Sequence, residues 1–102
     1  MAQFDVYRHI TPKSHAELLV DVQSGFLDGL ETRIVIPMYR IEPGLNSVRT
    51  LNPIVEVSDV HYFLSTSELA AIHRKELSQK VGSLIIHRSE IIAALAMLFT
   101  GI

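Results

Sequence analysis

At 102 residues and a formal charge of −2, the chain is sized for one hydrophobic core and has no excess of positive charge with which to hold nucleic acid on a surface of its own. Hydrophobic residues at 48% against 20% charged exclude a disordered chain, and the absence of cysteine excludes a disulfide framework and any thiolate metal site. No apolar run approaches the roughly 20 residues that cross a bilayer, and Met1 to Asp5 lacks a signal peptide's basic and apolar regions, so the expectation is one cytoplasmic domain over residues 1–102 with no membrane partner.

In chain order, the first elements predicted are strands. Phe4, Val6 and Tyr7 interleave with Gln3, Asp5 and Arg8, which suits a strand over residues 3–9, and Thr11-Pro12-Lys13-Ser14 reads as a polar turn. Residues 17–23 form the returning strand, with Leu18, Val20 and Val22 on one face and Leu19, Asp21 and Gln23 on the other. The connection over residues 24–30 has glycines at both 25 and 29 yet carries Phe26 and Leu27. Large apolar residues on a loop are either tucked into a local core or shown to a partner, and tucking is the simpler expectation. Residues 32–36 predict a central strand, and Pro37 is expected to stop regular pairing or to mark an edge or bulge, beyond which residues 38–42 can continue the strand. Residues 54–57 and 61–64 predict two short strands joined in a tight hairpin through Ser58-Asp59-Val60. Residues 67–72 read as a short helical turn or an irregular segment with Ser67 as a candidate cap, residues 73–81 as an edge strand, and Gly82-Ser83 as a break.

The chain closes on a helix predicted over residues 88–102. Ile91, Ile92, Leu95, Leu98 and Phe99 recur at helical steps, and Ala93, Ala94 and Ala96 are strong helix formers. Its polar face nearly vanishes after Glu90, so the rest of the protein or a second copy must cover it, which predicts a homodimer. At its end, Gly101 either takes a left-handed cap with Ile102 folded back on Met97, or presents the terminal Ile102 to a partner.

The search for catalytic chemistry returns no motif. Among His9, His15, His61, His73 and His87 no pair has ligand spacing, so no metal or other cofactor is expected. Phosphate loops and nucleophile elbows are absent from the sequence. Asp21 and Asp28 are more simply turn formers or ion-pair partners than an acid–base couple, and Arg33, Arg40, Arg49, Arg74 and Arg88 are read as solvated or paired on the surface. The expectation is of no catalytic residues and no enzyme.

Four pieces at nearly constant order carry a resemblance: Gln3-Phe4-x-Val6-Tyr7, Val20-Asp-Val-Gln-Ser24, Arg33-x-Val35-Ile-Pro37, and the apolar helix closing on Gly101-Ile102. They resemble the CcdB toxins of bacterial toxin–antitoxin systems from end to end. The resemblance implies a mainly β fold, an SH3-like antiparallel β-barrel of the CcdB/MazF type with one long C-terminal helix, paired as a homodimer. It implies a toxin that binds the DNA gyrase A subunit, traps the gyrase–DNA cleavage complex and is neutralised by a CcdA-type antitoxin. Plasmid maintenance and operon repression belong to the same expectation, with DNA held by the antitoxin and not directly by this chain.

Carried over by position, the resemblance points to Ser24, Phe26 and Leu27 on the loop and Ala96, Thr100, Gly101 and Ile102 on the helix as the gyrase-binding residues. One departure is Thr100, where a gyrase poison of this family carries a tryptophan that stacks on gyrase arginines. Such a stacked contact is worth roughly 0.5–2 kcal/mol, and threonine has no ring to supply it. Two alternatives accompany the gyrase reading: a chain of this fold that keeps only its antitoxin-binding and regulatory role, and a MazF-like endoribonuclease.

Overall fold

The computed structural model describes residues 1–11, 16–44 and 47–101. The elements are β1 (Asp5–His9), β2 (Leu18–Asp21), β3 (Thr32–Arg40), β4 (Ile54–Val57), β5 (Val60–Leu64), β6 (Ala70–His73), β7 (Leu77–Ser83) and α1 (Arg88–Thr100). Every strand pairing is antiparallel, in the order β4-β5-β3-β2-β1-β7, with β6 also on β3. This is the curled antiparallel half-barrel with one C-terminal helix that the resemblance implied. Register shifts between Val6 and Tyr7 and between Tyr7 and His9 bend β1 against β7. The curl brings the sheet's end strands together: a Cβ on Gly82 would lie 3.6 Å from Val57 Cγ1.

The two faces of β2 feed two apolar clusters. Leu18, Val20 and Val22 join Phe4, Val6, Ile36, Met38, Leu64, Leu84 and Ile91 beneath the helix, while Leu19 packs with Tyr7, Val35 and Leu77 on the other side. β1 begins at Asp5 and not at residue 3, because Phe4 sits at φ 72, a left-handed conformation that drops its ring into the core and ends the extended run. The hairpin between β4 and β5 turns on Ser58 and Asp59, whose φ of 51 and 66 give the left-handed pair that a two-residue turn requires.

β3 runs through Pro37 to Arg40, the continuation beyond the proline that the sequence allowed. In an antiparallel strand the N–H and C=O of one residue face the same side, and the Pro37 carbonyl accepts the Ser65 N–H at 2.9 Å. Its missing donor therefore faces the gap along β3 between the Val35–Ala70 pair with β6 and the Met38–Leu64 pair with β5. Two expectations are corrected. Residues 70–73 are a strand; the 3-10 turn before them spans Thr66–Glu68, and Ser65, not Ser67, stands at its cap position. Gly82-Ser83 does not break β7, since Gly82 pairs with Val6 and Ser83 with Asp5.

Helix α1 starts at Arg88 after a 3-10 turn over Ile85–His87 and buries only Ile91 and Ala94 fully. Ile92 and Phe99 stay exposed, so this chain alone does not cover its apolar helix. No helix among the described residues is long and apolar enough to cross a membrane.

Candidate functional site

The loop between β2 and β3 and the end of α1 converge on one apolar surface. Ser24 opens the loop: its hydroxyl accepts the Phe26 N–H at 3.2 Å and caps a 3-10 turn over Gly25–Leu27. This turn holds Phe26 with its residue 100% exposed, while Leu27 and Leu30 are each 49% exposed. The expected tucking of Phe26 and Leu27 is thus overturned. A turn this short projects beyond the sheet, and no element among the described residues folds over it.

Ser24 and Leu27 line a groove of ≈ 420 Å³ together with Ile34, Leu69, Leu95 and Phe99. Phe99 is 68% exposed. The sequence places Leu95 and Phe99 on the helix's apolar side but did not assign them, or Leu30, to this surface; Phe99 lies one helical turn from Leu95, and that spacing was the available signal. Ala96, Thr100 and Gly101 are not among the groove's lining residues. Ala96 is half-buried, and its carbonyl accepts the Thr100 hydroxyl at 2.6 Å, so Thr100 spends its polar group inside the helix. Gly101 caps the helix at φ 75 with its N–H donated to the Met97 carbonyl at 3.0 Å, as the left-handed cap requires. The expectations for Ile102 and His15 lie outside the described residues.

Polar ties hold the loop from below. The Gln23 side-chain amide donates to the Leu27 carbonyl at 2.9 Å and accepts the Ile34 N–H at 3.0 Å. Arg33, expected on the surface, is wholly buried: its Nε donates to Asp21 Oδ2 at 2.8 Å and its Nη1 to Asp28 Oδ1 at 3.2 Å. Its Nη2 lies 2.7 Å from the same Asp21 oxygen without hydrogen-bond alignment. Burial raises the Asp21 carboxyl above its ordinary value, opposed by the Gln23 N–H and by Arg33. Asp21 and Asp28 are therefore ion-pair partners bridged by one guanidinium.

The histidines of the described residues each stand beside a glutamate. His9 Nε2 lies 2.9 Å from Glu76 Oε1, His87 Nδ1 3.0 Å from Glu90, His61 3.4 Å from Glu56 and His73 3.7 Å from Glu31. Among the described residues no group of side chains is placed to hold a metal ion.

Comparison with solved structures returns the same barrel. An endoribonuclease from a mycobacterial species superposes with a TM-score of 0.76 at 15% identity, over 96% of this chain and 89% of that chain. An endoribonuclease in complex with its cognate antitoxin, also mycobacterial, gives 0.77 at 15% identity, over 96% and 93%. The Mycobacterium tuberculosis toxin MazF-mt6 gives 0.73 at 14% identity, over 93% and 95%. At these identities the likeness is one of fold. It nonetheless overturns the expectation of a non-enzyme, because endoribonucleases share this barrel and the lack of a catalytic motif decides nothing for it. Side chains that meet on a curled sheet come from distant segments, as His9 and Glu76 do here, and no local spacing announces such a meeting. A sequence model described as CcdB protein matches residues 3–101. With nearly the whole chain matched, this protein belongs to the CcdB family, toxins of toxin–antitoxin systems.

Proposed function

We propose that this toxin binds the A subunit of DNA gyrase and traps the gyrase–DNA cleavage complex, and that a CcdA-type antitoxin neutralises it. The binding surface comprises Ser24, Phe26 and Leu27 with Ala96, Thr100, Gly101 and Ile102, to which the structure leads us to add Phe99. One observation carries the reading: a fully exposed phenylalanine on a capped turn, beside an apolar groove that the terminal helix also lines. Aromatic anchors of this kind dominate protein interfaces. Phe26 supplies a ring to a surface on which Thr100 supplies none. The uncovered apolar side of α1 supports a homodimer, in which each protomer contributes one copy of this surface. The antitoxin-bound endoribonuclease of the same fold supports an antitoxin as partner.

The test is a supercoiling and cleavage assay with gyrase from the native host, with and without ATP. A stabilised cleavage complex is the expected product, and removal of Gly101 and Ile102 is expected to abolish it while leaving the fold intact. A fully active truncation refutes the helix-end assignment. Absence of inhibition by folded protein at saturation leaves the antitoxin-binding, regulatory reading. A second activity, RNA cleavage, draws support from the endoribonucleases that share the barrel, and incubation of the purified protein with RNA tests it.

A further inference from the structure

Phe26 is fully exposed on a turn that contains no fully buried residue, and Leu27 and Leu30 are half-exposed, so apolar burial does little to order residues 24–30. What orders them is polar. Gln23 holds the Leu27 carbonyl, Arg33 holds the Asp28 carboxylate, and Arg74 Nη1 donates to the Asp28 carbonyl at 3.3 Å and the Leu30 carbonyl at 3.5 Å. Arg33 differs from the other two in being anchored at its far end. Its side chain is buried and its Nε is committed to Asp21, which in turn accepts the Gln23 N–H at 3.0 Å. The remaining edge of the guanidinium, Nη1, reaches the half-exposed Asp28 carboxylate at 3.2 Å, and the same carboxylate oxygen lies 3.5 Å from the Met1 ammonium.

We propose that Arg33, acting through Asp28, is a positioning residue for the partner-binding loop: a buried cation on β3 already paired with Asp21 uses its free edge to fix the turn that displays Phe26. This inference rests on the reading of residues 24–30 as a binding surface. An interface element ordered before contact loses less freedom on binding, so the tether acts on affinity without touching the partner. A surface ion pair would be loose and screened, whereas here one partner cannot move.

Asp28→Ala removes the exposed half of the tether and leaves the Arg33–Asp21 pair in place. Amide hydrogen exchange at Leu27, Asp28 and Leu30 is expected to accelerate about tenfold, the loss appropriate to one charge-assisted hydrogen bond, while strand amides keep their protection. Affinity for the isolated gyrase A subunit is expected to fall by a similar factor. Asp28→Asn retains an oxygen for Nη1 and is expected to restore most of the protection, whereas Asp28→Leu, of similar volume but without an acceptor, is expected to lose it as Asp28→Ala does; protection in Asp28→Leu would show a merely space-filling role. Unchanged exchange in Asp28→Ala overturns the tether. Faster exchange with undiminished affinity, when Phe26→Ala weakens binding, overturns the positioning role. If Phe26→Ala also binds as tightly as the parent, the binding-surface reading fails and this inference fails with it.

Discussion

Replacing Phe26 with alanine separates the proposed site from the fold more cleanly than any other change. The residue is wholly exposed and lies outside both apolar clusters, so truncation removes nothing from the core. Stability should stay within about 0.5 kcal/mol of the parent, as for surface changes elsewhere. Binding is a different matter. Burying a phenylalanine against a partner is worth about 1.5–3 kcal/mol, which corresponds to about a 10- to 150-fold change in Kd. The assay is calorimetric titration of the gyrase A subunit, run beside thermal unfolding of the same samples. The expected outcome is a weakened complex with an unmoved Tm. An unaltered Kd refutes the assignment of Phe26 as an anchor, and a large drop in Tm refutes the claim that the turn buries nothing.

Ile91→Ala should show the opposite pattern, because Ile91 and Ala94 are the residues through which α1 is fully buried. About 3 kcal/mol of stability, or roughly 12–24 °C in Tm, is the expected loss; a loss under about 1 kcal/mol would mean that the helix is held elsewhere. A carbon-detected NMR titration of Asp21 should give a midpoint above the ordinary 3.8, and a midpoint below that value would show that Arg33 outweighs burial. The sign follows from linkage. With its folded value raised, Asp21 contributes stability that is full below the ordinary carboxylate value and is lost as pH rises through the raised one. Asp59→Gly should stabilise by about 0.5–1 kcal/mol in chemical denaturation, since Asp59 pays for a left-handed backbone at φ 66 that glycine adopts freely; destabilisation would contradict the turn geometry.

Much of this architecture can be read from local pattern. The alternation in residues 54–57 and 60–64 around Ser58-Asp59 specifies a hairpin because strand period and turn chemistry both act over neighbouring residues. The terminal helix and its glycine stop are legible for the same reason. Ala70–His73 is the opposite case. Ala70 and Ala71 favour a helix intrinsically, yet the segment is extended because the first half of β3 needs a partner, and pairing outweighs propensity.

The candidate site divides along the same line. Residue types and order were enough to mark the loop after β2 and the end of the helix, through a resemblance that spans the chain. Exposure was not, because whether Phe26 is covered depends on the path of every other element. Nor could the sequence place Arg33 indoors. A charged residue is read as exposed until the register of β2 on β3 sets Asp21 opposite Val35 and within reach of the guanidinium. Sequence determines what acts between neighbours: hairpin turns, helix stops, the types of residue a loop offers. Only the folded sheet decides which distant charges meet and which apolar side chains remain in water, since both depend on register and curl, and these arise from the packing of the whole chain.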